Sequence, residues 1–255
     1  MAAAHRSEEL LICVLARMLE GLGNVAVGAN SPIPGSAALL MQALSGGSTR
    51  ASILGSRVHN PFNDGGPELH DRAAQGRIDA FFLGGGQIDG EGNINLVGTG
   101  SYPRVDTRFP GSFGSAFLYF MIPRVILFRE EHSRRVLVPK VDFISAPGWS
   151  EPGIHRRGGP FALVTSLCVF HYDTARHRFR LDGLLPGATL DEVRDNTGFD
   201  FDCPDRVGEV APPEPGWLAL IRNRVAGEIA ETYPAFAAAR LGYDGPQTPE
   251  REKTA

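Results

Sequence analysis

The chain has 255 residues and a formal net charge of −4 at pH 7, and 42% of its residues are hydrophobic while 21% are charged. This length and composition suit one large globular domain with its own core. A slightly acidic chain without basic runs is not expected to bind nucleic acid. The three widely spaced cysteines predict free thiols in a reducing cytosol, and the absence of zinc-type spacing predicts no bound metal.

Two features of the sequence argue against a membrane or secreted location. The longest apolar stretch, FLYFMIPRVILF, contains Pro123 and Arg124 and is too short to cross a bilayer. At the N-terminus, acidic residues precede the apolar run, which is not the charge order of a secretory signal. The sequence therefore predicts a soluble cytoplasmic protein that makes no contact with a membrane.

The first third of the chain alternates between helix and strand patterns. SEELLICVLARMLEGL predicts a helix over residues 7–22, with Ser7 as its cap and Gly23 as its stop. The stretches that follow predict strand, helix, strand, helix and strand in turn: NVAV, SPIPGSAALLMQAL, RASILGS, HDRAAQGRI and DAFFLGGG. Such alternation predicts an α/β fold with a parallel sheet.

The second half of the chain predicts further strands and two helices. RVILFREE predicts a strand, RRVLVPKVDFISAPG a further one, and PFALVTSLCVFHYD with HRFRLDGLLPG a hairpin. TLDEVRDNTG predicts a short helix capped by Thr189, and GWLALIRNRVAGEIAETY predicts an amphipathic helix. The tail from 242 to 255 is polar and rich in proline, so it is expected to be disordered after a single domain over residues 1–241.

Three consecutive glycines, Gly84, Gly85 and Gly86, follow the third predicted strand in AFFLGGGQIDGEGNIN. In open parallel sheets, ligands bind beyond the carboxyl ends of the strands. Glycine allows another molecule to approach the backbone closely, and exposed N–H groups can bind phosphate or an oxyanion. The stretch therefore predicts a backbone-lined pocket, with a tight turn that binds nothing as the alternative.

A second glycine loop, RFPGSFGSAF, strengthens this prediction. Gly111 and Gly114 surround Phe113 before an apolar run, although glycine at a helix start is also common structural punctuation. Arg104 and Arg108 lie nearby and could bind a carboxylate or phosphate of the ligand, although such arginines are more often solvated.

His59 is the strongest candidate among the histidines, because its loop, RVHNPFNDGG, follows the second predicted strand and Asn60 stands beside it. His132, His171 and His177 are more simply interpreted as surface or hydrogen-bonded histidines. The sequence contains no HExxH, HxH or GxSxG motif, so it predicts neither a metal site nor a serine nucleophile.

Five stretches, in this order, resemble the β subunits of the class I coenzyme A transferases, the group that includes glutaconate CoA-transferase. They are GGGQIDGEGNIN, PGSFGS, EHSRRVLVPKVDFISAPG, GPFALVTSLCVF and LLPGATLDEVRDNTGFDF, and the resemblance extends over roughly residues 8–225. It implies an open, mainly parallel sheet with helices on both faces. It also implies a homologous α subunit, an α2β2 heterotetramer and an active site between the two chains.

One departure from the transferase pattern is decisive for function. Transferases of this group carry a glutamate after the second strand of the β chain, and it holds CoA as a glutamyl thioester. Here that strand reads RASILGSRVHN, so Leu54 or Gly55 stands at this position, and neither side chain is a nucleophile. Glu91 follows the third strand and is interpreted as a turn residue. In lacking the glutamate, the chain is similar to the ring-cleaving hydrolases of steroid degradation, whose two subunits descend from CoA transferases.

That similarity implies hydrolytic opening of a carbon–carbon bond in a ring fragment carried as a CoA thioester, with no permanently bound cofactor. We expect the general base to come from the α chain, because no carboxylate of raised pKa is evident at the pocket. His59, Asn60, Gln87 and Asp89 would position substrate or water, unless Gln87 and Asp89 only brace their loop. Two alternatives stay open: a CoA transferase for a dicarboxylic or keto acid, and a non-catalytic scaffold subunit.

Overall fold

The computed structural model describes residues 4–64 and 66–245, so residues 246–255 of the predicted tail lie outside the described residues. Eight strands form one sheet, and two antiparallel pairs lie apart from it. The strands are β1 Asn24–Val27, β2 Arg50–Ile53, β3 Ala80–Leu83, β4 Gln87–Ile88, β5 Ile94–Asn95, β6 Gly98–Ser101, β7 Arg104–Arg108, β8 Arg124–Phe128, β9 Pro160–Val164, β10 Cys168–Asp173, β11 Arg178–Leu184 and β12 Gly208–Glu209.

The helices between these strands are short, and residues 215–241 are almost entirely helical. We refer to residues 215–241 as the C-terminal helical segment, which includes two π-helical turns, Ile221–Val225 and Ala237–Leu241. The α-helices are α1 Ser7–Arg17, α2 Pro32–Leu44, α3 Gly66–Ala74, α4 Ser115–Met121, α5 Leu190–Asn196, α6 Pro215–Leu220, α7 Ala226–Ala230 and α8 Pro234–Phe236.

The main sheet has the strand order β12-β11-β10-β9-β8-β3-β1-β2 and is mostly parallel. The pairs β1–β2, β1–β3, β3–β8 and β8–β9 are parallel, whereas β10 is antiparallel to both of its neighbours. The predicted α/β class with a mainly parallel sheet is therefore confirmed. The early alternation of helix and strand is confirmed as well, because NVAV and AFFL form buried central strands and RASI forms the strand at one edge of the sheet.

Helices cover both faces of the sheet, which confirms the arrangement that the resemblance implied. Side chains alternate along a strand, so Val25 and Val27 enter one core while Ala26 enters the other. The first core also contains α1, α2 and the C-terminal helical segment. The second contains buried side chains of α3, α4 and α5, including Leu69, Tyr119 and Val193 respectively.

The first helix is shorter than predicted, and its cap differs. It ends at Arg17, and hydrogen-bonded turns follow instead of the regular helix expected as far as residue 22. Arg6, rather than Ser7, is the N-cap residue. Its backbone N–H donates to the Glu9 carboxylate at 2.8 Å, so a buried acid from the first turn takes the capping role. The short helix at Thr189 is capped as predicted, because Glu192 N donates to Thr189 Oγ1 at 3.1 Å.

Three predictions for the second half differ in detail from the structure. RRVLVPKVDFISAPG forms no strand of the sheet, because it only makes isolated bridges from Leu137 to Ile88 and from Ala146 to Ile94. The predicted hairpin is part of a three-strand antiparallel meander, β9-β10-β11. The predicted C-terminal helix is interrupted by the π-helical turn Ile221–Val225.

A small polar cluster is enclosed in the second core around His132. Its ring nitrogens lie 2.8 Å from Thr165 Oγ1 and 2.9 Å from Thr197 Oγ1, and Cys168 Sγ is 3.8 Å from Nδ1. Thr197 already donates to the carbonyl of Val193 at 2.7 Å, so its oxygen accepts from His132 Nε2. The imidazole is therefore satisfied in its neutral form, and burial lowers the pKa of His132 from 6.5 to about 4.

The pKa of His132 predicts a loss of stability in mild acid. As the pH falls below 6.5, His132 becomes protonated in the unfolded chain, whereas in the folded chain it stays neutral until about pH 4. The free energy of unfolding should therefore fall across this window by up to roughly 3 kcal/mol. Urea denaturation of wild type and His132→Gln at intervals from pH 4 to 7 measures this, and the variant should show a flatter profile. The exposed His155→Gln serves as the control, and equal profiles in all three proteins would contradict the prediction.

Candidate active site at the carboxyl edge of the sheet

A cavity of about 380 Å³ lies where the central parallel strands end, and we call it the carboxyl-edge cavity. Parallel strands point the same way, so the residues that follow β1, β3 and β8 meet at one edge. Three stretches line the cavity: 30–34, 82–84 and 128–131. The structure thus forms a concave site where the sequence predicted one.

The first wall of the cavity is the start of α2. Asn30 adopts a left-handed conformation with φ of 55°, which asparagine tolerates better than most residues. Prolines at Pro32 and Pro34 begin the helix and remove two backbone donors, so Ile33 carries the N–H between them. The positive end of the α2 dipole nevertheless faces the cavity and favours negative charge there.

The opposite wall carries an arginine and two glutamates after β8. Hydrogen bonding to the Ser133 hydroxyl, followed by the Arg135 guanidinium, holds the pKa of the Glu131 carboxyl below its ordinary value. Glu130 pairs with Arg240 of the C-terminal helical segment at 3.0 Å. Arg129 Nη2 lies 3.6 Å from Glu131, so these acids are compensated by neighbouring cations. An ionised carboxylate of low pKa is a weak base, which does not suit Glu131 to activating water.

No carboxylate side chain occupies the chain directly after β2. Leu54 is half-buried, Gly55 has φ of 91°, and the buried Ser56 closes a turn by donating its N–H to the Ile53 carbonyl. Ser56 Oγ accepts from the N–H groups of Val58 and His59 at 3.1 and 2.8 Å. The hydroxyl of Ser56 therefore shapes the loop and is not available as a free nucleophile.

One carboxylate reaches this loop from the far end of the chain. Glu231, directly after α7, accepts a hydrogen bond from Ser56 Oγ at 2.6 Å and another from the Arg57 N–H at 3.0 Å. The Ser56 hydroxyl is the main cause that lowers the pKa of Glu231 to about 2. Sequence reasoning missed this residue, because 175 positions separate it from Ser56 and no motif marks it.

We call residues 54–60, directly after β2, the β2 loop. His59 and Asn60 lie in this loop as predicted, but outside the lining of the carboxyl-edge cavity. The backbone of His59 is fixed on both sides, since its carbonyl accepts from Ile53 N at 2.8 Å and its N–H donates to Ser56. Its imidazole is half-buried. Asn60 Oδ1 accepts from Phe62 N at 3.2 Å, so this side chain braces the turn that leads towards α3.

The three glycines after β3 have different surroundings. Gly84 is exposed and lines the carboxyl-edge cavity, as predicted. Gly85 is buried, and a Cβ there would lie 2.8 Å from the Gln87 carbonyl oxygen and 2.9 Å from Ile94 Cγ2. The N–H of Gly86 donates to the Asn95 carbonyl at 2.9 Å. The prediction that these amides face a ligand is therefore wrong for Gly86, whose amide joins the chain to β5.

Gln87 is the centre of a buried network that connects the glycine stretch to two loops. Its Oε1 accepts from Asn95 Nδ2 at 2.7 Å and from the N–H of Asp142 at 3.0 Å. Its Nε2 donates to the Asp142 carboxylate at 3.0 Å, which also accepts from Gly100 N. With these partners inside the protein, Gln87 has the bracing role that the sequence left as the alternative.

Asp89 lies at the opposite edge of the sheet from the carboxyl-edge cavity. It begins the β4–β5 turn, where it accepts hydrogen bonds from Asn93 N at 3.1 Å and Val141 N at 3.3 Å. In the same turn, a Cβ on Gly92 would lie 3.0 Å from the ring of Pro160, the first residue of β9. The structure therefore does not bring Asp89 together with the residues around the cavity.

Burial raises the pKa of the Asp89 carboxyl above its ordinary value, although four hydrogen bonds act against this shift. This is the carboxylate of raised pKa that sequence reasoning did not identify, because burial cannot be read from DGEGN alone. Its distance from the carboxyl-edge cavity means that it does not supply the missing base there. Glu91 lies in the same turn, as interpreted from the sequence.

The second glycine loop leads into α4 and packs against α3. Gly111 and Gly114 have φ of 117° and 70°. Phe113 is also left-handed, with φ of 40°, and it is 68% exposed. The Phe113 ring lies 6.1 Å from the ring of His70, a half-buried histidine that sequence reasoning did not single out. Gly111, Phe113 and Gly114 lie outside the lining of the carboxyl-edge cavity.

Arg104 and Arg108 are exposed at the two ends of β7. Neither lines the carboxyl-edge cavity, so their predicted contact with a ligand stays a prediction. Within residues 4–64 and 66–245, no group of three or more histidine, cysteine, aspartate or glutamate side chains is arranged to hold a metal ion. Over the same residues, no helix has the length and apolar character needed to cross a membrane.

The close approach at Gly86 predicts a specific cost for adding a side chain. A Cβ there would overlap the ring of Phe109. The backbone of Phe109 is held in place, because its N–H donates to the Val97 carbonyl. Gly86→Ala should therefore lower the free energy of unfolding by about 1–3 kcal/mol. Gly208→Ala is the control, because a Cβ at this position meets no atom within 4 Å. Chemical denaturation of both variants measures the difference, and equal stability would contradict the packing argument.

The contacts of Glu231 predict that this residue stabilises the β2 loop. Glu231→Ala removes the acceptor of Ser56 Oγ and Arg57 N, and should lower the free energy of unfolding at pH 7 by about 1–3 kcal/mol. Because the folded pKa is lowered to about 2 from 4.5, wild type should lose this contribution as the pH falls through that range. Urea denaturation measures the effect, and the exposed Glu209→Ala is the control. Similar losses in both variants would exclude the proposed contact as the cause.

Comparison with known proteins shows consistent likenesses. The chain is 34% identical over 153 residues to the B-type subunit of 3-oxoadipate CoA-transferase from Pseudomonas knackmussii, which covers 58% of each chain. It is 33% identical over 151 residues to the B-type subunit of glutaconate CoA-transferase from Acidaminococcus fermentans, covering 56% of each. It is 30% identical over 160 residues to the cholesterol ring-cleaving hydrolase IpdB subunit of Rhodococcus jostii, covering 61% of this chain and 62% of that one. The alignments thus span less than two thirds of these relatives.

Solved structures of similar fold cover more of the chain. The decarboxylase AibA/AibB matches with a TM-score of 0.73 and 25% identity over 93% of this chain and 99% of that one. Glutaconate coenzyme A-transferase from Acidaminococcus fermentans matches with a TM-score of 0.77 at 22% identity, covering 94% and 99%, which shows the fold alone. The family model described as coenzyme A transferase matches residues 10–196. The chain belongs to the coenzyme A transferase family.

Proposed function

We propose that this chain is the β-type subunit of a two-chain enzyme that opens a carbon–carbon bond of a CoA thioester by hydrolysis. The names of its relatives support a subunit role, because both transferase relatives are named as B-type subunits of their enzymes. The structural likeness to AibA/AibB, a protein named for two components, supports the same arrangement. The partner is a homologous α chain, and the assembly is an α2β2 heterotetramer.

The observation that carries the proposal is the absence of a carboxylate from residues 54–60, directly after β2. A transferase of this kind needs an acid there that accepts the acyl group and then CoA. Leu54 cannot take this role, and the backbone of the following residues is folded into a hydrogen-bonded turn. A family member without the acceptor keeps a site for a CoA thioester and uses it for a reaction that needs no covalent intermediate.

Hydrolysis of a β-keto thioester meets that condition. Water adds to the ketone, the bond between the ketone carbon and its neighbour breaks, and the products are a carboxylic acid and the enolate of the thioester, which then takes up a proton. A base must remove a proton from the water, and donors must stabilise the oxyanion and the enolate. The α2 N-terminus and Gly84 at the carboxyl-edge cavity support the second requirement.

The base is assigned to the α chain. Glu131 has a lowered pKa, and Asp89, whose pKa is raised, lies at the other edge of the sheet. His59, which is half-buried and whose backbone is fixed in the β2 loop, is proposed to orient substrate or water. CoA enters as part of the substrate, and no permanently bound cofactor is needed.

The proposed substrate is a ring fragment of a steroid carried as its CoA thioester. The likeness to the cholesterol ring-cleaving hydrolase IpdB subunit, at 30% identity, supports this class. Three free thiols, Cys13, Cys168 and Cys203, support a cytoplasmic location for the enzyme.

A second candidate is a CoA transferase for a dicarboxylic or keto acid. The 34% identity to the B-type subunit of 3-oxoadipate CoA-transferase favours it. Glu231 would then be the acceptor, since its carboxylate is the one that reaches the β2 loop through Ser56. Its pKa of about 2 and its contacts with Ser56 and Arg57 make it a poor nucleophile, so we rank this candidate second.

A trapping experiment separates the two candidates. The assembled complex is incubated with a β-ketoacyl-CoA, then treated with borohydride or hydroxylamine, and the chain is digested and analysed by mass spectrometry. We expect no modified glutamate, together with incorporation of one oxygen from H₂¹⁸O into the acid product. A modified Glu231 that disappears in Glu231→Gln would contradict the hydrolase and establish the transferase.

Substitution of His59 tests whether this chain takes part in the reaction or only completes the complex. His59→Ala should lower kcat/KM by about 10²-fold or more, while the complex still assembles and melts at the same temperature. His155→Ala is the matched control on the exposed surface. Unchanged turnover in both variants would indicate that this chain is a non-catalytic scaffold subunit, which is the remaining alternative.

A further inference from the structure

A second cavity lies at the edge of the sheet opposite to the carboxyl-edge cavity, and we call it the amino-edge cavity. Its volume is about 410 Å³, which is within the range of sites for small molecules. Pro123, next to the start of β8, and Pro160, the first residue of β9, form its floor. The loop 148–159 and Tyr172 of β10 form its walls. Nothing in the proposed function uses this site.

Arg156 places a cation in the amino-edge cavity without an acid beside it. Among the described residues, none of the ion pairs includes Arg156. Burial lowers the pKa of its guanidinium, and only two tyrosines act in the other direction. A charge withdrawn from water is costly unless it is paired. This imbalance indicates an anion that is not part of the chain.

The guanidinium is held in one orientation. Its Cζ lies over the rings of Tyr119 and Phe120, at 5.3 and 4.4 Å from the ring centres. Nε donates to the Gly158 carbonyl at 2.7 Å, and Nη1 donates to Ser150 Oγ at 3.2 Å. Nη2 is buried and has no hydrogen-bond partner among the described residues. One donor of a fixed arginine is thus left without an acceptor.

A glycine lies beside this donor. Gly159 carries no side chain, and a Cβ there would lie 3.6 Å from Nη2, in ordinary contact. The side wall of the cavity is aromatic, since Trp149 stacks on His177 with ring centres 4.7 Å apart and an angle of 20°. The lining contains Arg156, Arg157 and His177 but only one acid, Glu151.

From these features we infer that the amino-edge cavity binds a small organic anion. Its carboxylate or phosphate accepts a hydrogen bond from Arg156 Nη2, and its apolar or planar body packs against Trp149. Arginine suits either group, because its donors match both carboxylate and phosphate geometry. The site is separate from the carboxyl-edge cavity, so it does not depend on which reaction the enzyme performs.

Fluorescence of Trp149 reports binding directly. The full chain has two tryptophans, so Trp217→Phe leaves Trp149 as the single tryptophan, which is excited selectively over the tyrosines. This protein is titrated in parallel with sodium benzoate and with inorganic phosphate, which distinguishes a carboxylate from a phosphate ligand. We expect saturable binding of at least one anion.

Three variants in this background test the assigned donor. Arg156→Gln should weaken binding about tenfold or more, as expected for loss of a charged donor. Gly159→Ala retains the charge, fills the space beside Nη2 and should weaken binding severalfold. Arg157→Gln is the matched control, because it removes the same charge from the lining of the same cavity and should change the affinity less than about twofold. Thermal melting confirms that each variant is folded, and Gly159→Ala keeps the test decisive if Arg156→Gln unfolds.

Three outcomes would overturn the inference. The first is that neither anion shows saturable binding, which would indicate that Arg156 only stabilises the conformation of its loop. The second is an equal loss for Arg157→Gln and Arg156→Gln, which would indicate non-specific attraction. The third is that the assembled two-chain complex no longer binds the anion that the isolated chain binds, which would mean that the partner covers the cavity.

Discussion

The common direction of β2, β1, β3 and β8 is the constraint on which the rest of the structure depends. Four adjacent parallel strands deliver their following loops to one edge, although these loops are far apart in the chain. β1, β3 and β8 are short apolar runs with side chains in both cores, so their direction and register are set by two cores at once. The position of the site is therefore set by the sheet. The sequence of a single loop can change while the site stays in place.

The loop after β2 illustrates this freedom. Residues 54–60 contain no acidic side chain, and the loop keeps a defined shape through the Ser56 hydroxyl. The glycine stretch after β3 has Gly84 at the cavity and Gly86 joined to β5.

Sequence reasoning was strongest where local pattern determines structure. The runs NVAV, RASI and AFFL fit only a buried strand, and Thr189 fits an N-cap whose hydroxyl accepts from Glu192 N. It was weakest where a residue depends on a distant partner. Whether Gln87 faces a ligand or braces a loop is decided by Asn95 and Asp142. The placement of Asp89 follows from the direction of the β4–β5 turn, which no periodicity reveals. Burial of Arg156 depends on two aromatic rings from α4.

The long-range contacts between α1 and the C-terminal helical segment affect the order in which the chain can fold during synthesis. Arg6 donates to the carbonyl of Leu241, and buried Glu9 pairs with Arg222, so partners more than 200 positions apart complete the first core. While the ribosome is still making the middle of the chain, the apolar side of α1 that later meets Leu241 has no cover. A nascent chain in this state exposes apolar surface and is prone to aggregation until the C-terminal helical segment has been synthesised.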